Sequence, residues 1–164
     1  MDLSKFRLSG LVLLSTMYGY SIAPGEFEIS AFLLSSFGTA MCIASANSIN
    51  QYIEDKLDAK MSRTKFRPIP TGKITKKQAL TFGTVVGTLG GSILLFGVGA
   101  LPAALAVANI GIYTMIYTPM KLTTPLNTYV GAIVGGIPPM VNHQKFIIKH
   151  HKNSFQKINK IHFS

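Results

Sequence analysis

The distribution of charge along this chain constrains its fold more than any other feature of the sequence. Residues 8–25 contain no Asp, Glu, Lys or Arg, and neither do residues 29–53. A further 43 uncharged residues lie between Lys77 and Lys121. A helix needs about 20 apolar residues to cross a membrane, so each short run suits one span and the long run suits two. Glycine and proline within residues 99–102 predict a turn near the middle of the long run.

These runs predict an all-α membrane protein with four complete spans and a partial fifth. The third and fourth spans are predicted over about 78–98 and 102–117, and the fifth begins near residue 126 and ends at 140 or 141. Charged residues make up only 13% of the chain, compared with about 25% in typical soluble domains. The composition therefore excludes an ordinary soluble domain and agrees with a protein embedded in the lipid bilayer.

Basic residues indicate how the spans are oriented. Lys5 and Arg7 precede the first span, whereas Glu26 and Glu28 follow it. The segment after the second span contains eight basic residues: Lys56, Lys60, Arg63, Lys65, Arg67, Lys73, Lys76 and Lys77. Loops rich in Lys and Arg stay on the inner side, so the N-terminus, this segment and Lys121 are predicted to share one membrane face. Because no nucleic-acid motif accompanies the net charge of +10, no nucleic acid partner is expected.

Three oxygen-bearing side chains are spaced at helical intervals where the second span ends. Asn50, Glu54 and Asp58 stand at i, i+4 and i+8, which places them on one face of a helix. Two carboxylates one turn apart repel each other, so a cation is expected between them. Magnesium binds to one or two carboxylates and completes its shell with water and substrate phosphate oxygens. We predict that these residues bind Mg²⁺ and are catalytic; the alternative is a solvated helix end balanced by nearby Lys and Arg.

The basic residues that follow are suited to a phosphate. Arg63 and Arg67 are four residues apart, and the planar guanidinium group matches phosphate geometry better than an ammonium group does. Lys73 and Lys121 add positive charge on the same predicted face. A diphosphate held by a metal ion and by arginines is a good leaving group, and an allylic group attached to it would depart as a carbocation.

The order of residues in this segment resembles a family signature. Asn50, Glu54, the pair at 57–58, Met61, the pair at 63–64, Arg67 and Gly72 resemble the signature of the intramembrane, UbiA-type prenyltransferases at every position. Within that superfamily, five further segments resemble the protoheme IX farnesyltransferase (haem O synthase) branch: 3–8, 46–51, 117–121, 127–132 and 136–139. The resemblance covers about residues 3–140.

The resemblance implies a fold, a reaction and roles for residues. The fold would be the N-terminal half of a UbiA-type helical bundle. The reaction would transfer the farnesyl group from farnesyl diphosphate to a vinyl group of protoheme IX. The resemblance implies that Asn50, Glu54 and Asp58 would hold magnesium and diphosphate. It implies that Arg63, Arg67 and Lys121 would neutralise the phosphates. Tyr117 lies in a matched segment, although a role as an interfacial aromatic anchor is equally open.

The resemblance stops near Val141. No acidic residue follows Asp58, whereas the family carries a second carboxylate motif in its later half. Residues 142–164 contain five Lys and four His, and Asn, Lys, Ile and Phe supply 15 of these 23 residues. We therefore expect a partial prenyltransferase domain over 1–141 and a disordered, non-family tail over 142–164, translated from an intron or a shifted frame. A chain truncated in this way is expected to have little or no activity.

Several alternatives remain open at the level of sequence. Residues 1–23 resemble a cleaved signal peptide in their basic start, apolar run and small-x-small end. Cys42 is expected to pack rather than react, and the tail histidines suggest a metal or haem only weakly. The chain could instead be a superfamily enzyme that prenylates an aromatic acid, or a non-catalytic fragment that associates with a full-length enzyme. The intron-like tail favours the mitochondrial inner membrane, with the motif facing the matrix.

Overall fold

A computed structural model describes residues 3–22, 27–62, 64–120 and 126–140 of the chain. Throughout these residues the regular structure is helical, and none of them forms a strand. The helices are α1 (Leu3–Ile22), α2 (Ile29–Asp58), α3 (Lys76–Gly97), α4 (Ala100–Gly111), a π-helical segment (Ile112–Tyr117), α5 (Thr118–Met120) and α6 (127–140). The predicted all-α fold is confirmed.

The helix ends follow from local sequence. The hydroxyl of Thr75 accepts a hydrogen bond from the Gln78 backbone N–H, and the Gln78 side chain accepts one from the Thr75 backbone, which starts α3 with a capping box. Gly99 has a φ of 145°, a conformation that favours glycine, and it makes the predicted turn between α3 and α4. In contrast, α2 continues to Asp58, beyond the uncharged run, because its polar end finds partners within the protein.

Three described helical stretches are long and apolar enough to cross a membrane. They are Ile29–Asp58, Lys76–Gly97 and the continuous stretch Ala100–Met120. The 20-residue α1, predicted as the first span, is not among them. Its uncharged portion within the helix begins only after Arg7 and contains several Ser, Thr and Tyr residues. Large apolar side chains on α1, α3 and α6 are exposed on the outer surface, as expected of helices that face lipid.

The closest packing joins α2 to α3 through glycine. A Cβ atom built on Gly83 would lie 2.8 Å from Cγ1 of Ile49, and one on Gly90 would lie 2.9 Å from the Gly38 carbonyl oxygen. Such approach is typical of helices in lipid, where small residues let backbones pack closely. Gly83 and Gly90 thus allow this close packing, whereas added Cβ atoms on Gly135 and Gly136 would meet nothing within 4 Å.

The remaining helices pack around this pair. On one side, α4 contributes Ala103 and Ala106 to a small buried cluster with Cys42 and Leu94, so Cys42 packs as predicted. On another side, α1 is tied to α2 by a 2.8 Å hydrogen bond from Asn47 Nδ2 to Ser9 Oγ. The α6 backbone contacts α1 where Gly19 leaves room for Pro139, and it contacts the π-helical segment where Gly131 meets the Tyr117 ring.

Candidate active site

The three predicted oxygen ligands lie on the buried face at the end of α2. The exposed fractions of Asn50, Glu54 and Asp58 are only 2%, 5% and 2%. The helical spacing brings the first two into direct contact, since Asn50 Nδ2 donates a hydrogen bond of 3.0 Å to Glu54 Oε2. A solvated helix end would leave these side chains in water, so their burial argues against that alternative.

Arg67 supplies a cation to both carboxylates. Its Nη1 lies 3.4 Å from Glu54 Oε2 and also forms an ion pair with Asp58 Oδ2. The arginine comes from the loop after α2, which turns back because Thr64 Oγ1 donates 3.1 Å to the Asp58 carbonyl and Arg67 N donates 3.0 Å to the Thr64 carbonyl. Among the described residues, one guanidinium group thus contacts both carboxylates.

A residue near the end of the stretch Ala100–Met120 completes the cluster. Thr118 Oγ1 lies 2.7 Å from Asn50 Oδ1 and 2.8 Å from the Tyr113 carbonyl oxygen. This contact joins residues that are 68 positions apart in sequence. The cluster therefore draws on α2, the following loop and the start of α5.

A cavity of about 230 Å³ lies among the helices, and on α2 its wall ends at Asn47, about one turn before the cluster. Its wall includes Asn47, Tyr113 and Tyr117, together with mainly apolar residues of α1, α2, α4 and α6. The Tyr113 and Tyr117 rings are stacked, with centroids 5.4 Å apart and an interplanar angle of 17°. Within the described residues, Thr39 Oγ1 and Asn109 Oδ1 line this cavity without a hydrogen-bond partner.

The donor set fits a hard divalent cation. Two carboxylates and one amide oxygen on a single face are oxygen ligands of the kind that Mg²⁺ takes, with a basic residue beside them for a phosphate. Among the described residues, no group of three Asp, Glu, His or Cys side chains is placed to hold a metal. Any magnesium here would therefore depend on the two carboxylates, the Asn50 oxygen and ligands from water or substrate.

Comparison with known proteins identifies the family. Residues 12–142 match the UbiA prenyltransferase family. The chain belongs to this family. It is 45% identical over 139 residues to "Protoheme IX farnesyltransferase, mitochondrial" of Homo sapiens. The proteins of the same name from Candida glabrata and Arabidopsis thaliana are 44% and 42% identical over 140 and 142 residues.

These relatives are much longer than this chain. Each alignment covers 85% of the chain but only 31% of the human protein, 31% of the Candida glabrata protein and 33% of the Arabidopsis thaliana protein. No solved structure matches the chain. The family is therefore established by sequence similarity.

Two of the predicted phosphate-binding residues lie outside the described residues. Arg63 and Lys121 are not described, so their phosphate-binding roles stay predictions. The predicted tail over residues 142–164 also lies outside the described residues. Lys73 lines a separate pocket with Gln51 and Gln78, away from the carboxylate cluster.

Sequence reasoning missed two threonine contacts in this cluster. Thr64 bonds to the Asp58 backbone and Thr118 bonds to Asn50. Both threonines stand in segments that carry the family resemblance, but spacing alone does not indicate their contacts.

Proposed function

We propose that this chain carries the diphosphate-binding part of an enzyme that transfers a farnesyl group from farnesyl diphosphate to protoheme IX, making haem O. The observation that carries the proposal is the buried cluster of Asn50, Glu54, Asp58 and Arg67 at the end of a membrane-spanning helix. The names of the relatives supply the substrates, since they are protoheme IX farnesyltransferases. The same names support a mitochondrial membrane, with the inner membrane as the proposed location and the motif facing the matrix.

Glu54, Asp58 and Asn50 would hold Mg²⁺ together with the diphosphate. A bound Mg²⁺ neutralises the charge that develops on a departing diphosphate. The three side chains would be positioned for this before substrate arrives, because their burial, the Asn50–Glu54 hydrogen bond and the Arg67–Asp58 ion pair hold them on one face of α2. Preorganised charge of this kind stabilises a transition state without further rearrangement.

Arg67 would hold the carboxylates and a phosphate at the same time. Within the described residues, both carboxylate contacts are made through Nη1. A guanidinium group has five N–H donors, so its other nitrogens can still contact phosphate oxygens. Arg63 and Lys121 would neutralise the remaining phosphate charge, as the family resemblance implies.

Haem O formation in a strain that lacks its own protoheme farnesyltransferase tests this proposal. Because the chain spans 31% of the human relative, it is expressed alone and as a chimera in which residues 12–140 replace the matching part of that relative. Haem O is measured by chromatography. We expect the chimera to make haem O and the chain alone to make little or none, whereas an aromatic-acid prenyltransferase would restore no haem O.

An acidic pair on α2 provides the matched variants. Asp58→Asn in the chimera should abolish haem O, because it removes a buried carboxylate of the proposed cation site. Asp55→Asn is the control, because Asp55 pairs with Lys76 outside the cluster, and it should retain activity. Equal haem O from the Asp58→Asn chimera and the unsubstituted chimera would refute the proposed site.

A second candidate is a non-catalytic membrane subunit that associates with a full-length relative. The observation that favours it is the exposure of large apolar side chains on the described helices, such as Phe82 and Phe96 of α3. Helices of another chain could pack against such a surface in place of lipid. Co-purification of a tagged copy with full-length enzyme would support this role, and recovery of the tagged chain without it would contradict it.

A further inference from the structure

The stretch Ala100–Met120 changes its helical geometry just before it reaches the carboxylate cluster. Over Ile112–Tyr117 it is a π-helix, and the Thr118 backbone N–H donates to the Tyr113 carbonyl five residues earlier. Pro119 gives a sequence reason for this. A proline in a helix lacks an N–H, and its ring clashes with the carbonyl four residues earlier, here that of Met115. A wider turn relieves such a clash, and π turns of this kind are frequent at functional sites.

The π turn decides which way Thr118 faces. It contains one residue more than an α turn, so the residues after it are displaced by roughly 100° around the helix axis relative to an uninterrupted α-helix. In the observed register Thr118 is only 1% exposed, and its Oγ1 lies 2.7 Å from Asn50 Oδ1. The single hydroxyl proton is shared between that oxygen and the Tyr113 carbonyl, 2.8 Å away.

Thr118 and Glu54 hold the Asn50 amide from its two ends. The hydroxyl of Thr118 donates to Oδ1, whereas Glu54 Oε2 accepts from Nδ2 at 3.0 Å. The acceptor at Glu54 sets which end of the amide faces it, and the Thr118 hydroxyl holds the other end in place. An amide oxygen has two lone pairs, so Oδ1 can accept the Thr118 proton and still face a cation.

We propose that Thr118 is a positioning residue, which the π turn holds against Asn50 so that the Asn50 amide is held in place on the cation-binding face of α2. The effect on cation binding rests on the function proposed above, but the effect on the amide does not. Partners that orient metal ligands in this way typically contribute 10- to 100-fold to metal affinity.

Three variants separate positioning from packing. Thr118→Val keeps the shape of the side chain and removes the hydroxyl, whereas Thr118→Ser keeps the hydroxyl. Thr114→Val is the matched control: Thr114 is buried in the π-helical segment, but among the described residues its hydroxyl bonds to the Ile110 and Gly111 carbonyls of its own helix. The full chain is purified in lipid nanodiscs for every measurement.

Two readouts are taken on each protein. The first is hydrogen exchange of the Asn50 side-chain amide, followed by NMR on protein labelled at asparagine, with the signal assigned by its loss in Asn50→Asp. The second is Mn²⁺ affinity in the presence of inorganic diphosphate, measured by electron paramagnetic resonance. We expect Thr118→Val to speed amide exchange and to weaken Mn²⁺ binding by about tenfold or more, whereas Thr118→Ser and Thr114→Val should stay close to the unsubstituted chain.

The outcomes distinguish the inference from the proposed function. An Asn50 amide signal that is unchanged in Thr118→Val would overturn the inference, and so would equal losses of Mn²⁺ affinity in Thr118→Val and Thr114→Val. Faster amide exchange in Thr118→Val alone would support the positioning role even if the unsubstituted chain bound no Mn²⁺, and that lack of binding would count against the proposed cation site. Faster exchange together with selective loss of Mn²⁺ affinity would support both.

Discussion

The two halves of α2 are held in place by different physical effects. In the first half, the buried residues are small, and they include Ala31, Ser35 and Gly38. In the second half, the buried residues after Ser45 are Asn50, Glu54 and Asp58, which carry amide and carboxylate groups. One helix thus shows how a membrane protein packs where it has no charge and how it packs where it buries charge.

The difference follows from the environment of each half. Lipid provides no hydrophobic driving force between helices, so close association there depends on van der Waals contact and small residues. A buried charge, by contrast, must be paired and hydrogen-bonded, since an uncompensated one is strongly destabilising. The first half should therefore be sensitive to added atoms, and the second half should be sensitive to the removal of a partner.

The largest effect is expected from Arg67→Met. This change leaves Glu54 and Asp58 buried one turn apart without the guanidinium group that contacts both. Breaking a buried pair by removing one partner typically costs about 3–5 kcal/mol. The free energy of unfolding, measured by chemical denaturation in lipid nanodiscs, should fall by that order.

The Arg67→Met effect has two internal checks. Arg67→Lys, which keeps the charge but loses the planar fork, should give an intermediate result. Adding Asp58→Asn to Arg67→Met should recover part of the loss, because one of the two carboxylates that lost the guanidinium group becomes neutral. An Arg67→Met protein as stable as the unsubstituted chain would show that the cluster is not held by this pairing.

A smaller loss is expected when an atom is added on α3 where it packs against the first half of α2. In Gly90→Ala the new Cβ would lie 2.9 Å from the Gly38 carbonyl oxygen and 3.1 Å from the Cys42 backbone nitrogen. Neither backbone atom can move without shifting α2, and overpacking of this kind typically costs about 1–3 kcal/mol. The same unfolding measurement applies.

Gly136→Ala is the control for Gly90→Ala. An added Cβ there would meet nothing within 4 Å, and alanine favours a helix over glycine by about 0.5–1 kcal/mol. We expect stability to be unchanged or slightly higher. If both alanine variants lost the same stability, close packing against α2 would not be the reason for glycine at position 90.

The order of the helices could be predicted from the sequence because charge is costly in lipid. The uncharged runs located α2, α3, the stretch Ala100–Met120 and α6 within a few residues. The contacts that side chains make at the helix ends were harder to predict from the sequence. The helical spacing of Asn50, Glu54 and Asp58 predicted their common face, but Arg67 was assigned to phosphate, and its contact with the carboxylates depends on how the following loop turns.

Two features lay beyond sequence reasoning for physical reasons. Pro119 marks a local irregularity, but whether a helix kinks, ends or widens at a proline depends on its neighbours, so the π turn and the Thr118 contact could not be foreseen. Glycine also looks the same in every apolar run, and only the packed helices show that Gly90 is confined while Gly136 is not.

A third prediction concerns the start of α3, which belongs to neither half of α2. Thr75→Ala removes the hydroxyl that accepts from the Gln78 backbone N–H at 3.3 Å. Loss of an N-cap side chain typically costs about 1 kcal/mol. Thr84→Ala is the control, because the Thr84 hydroxyl is exposed and bonds only to carbonyls of its own helix. Equal unfolding free energies for the two variants would contradict a stabilising capping box.

The smallest effect is expected from Lys76→Gln, which breaks the other acid–base pair of α2. Lys76 Nζ lies 2.6 Å from Asp55 Oδ2, but the lysine side chain is 48% exposed. Exposed pairs typically contribute only about 0.2–1 kcal/mol and are screened by salt. The loss in unfolding free energy should therefore be small and should shrink further when the measurement is repeated at high ionic strength. The Arg67→Met loss should persist in the same salt, because that pair is buried. If both variants lost similar stability at both salt concentrations, distance rather than burial would govern the strength of ion pairs at this end of α2.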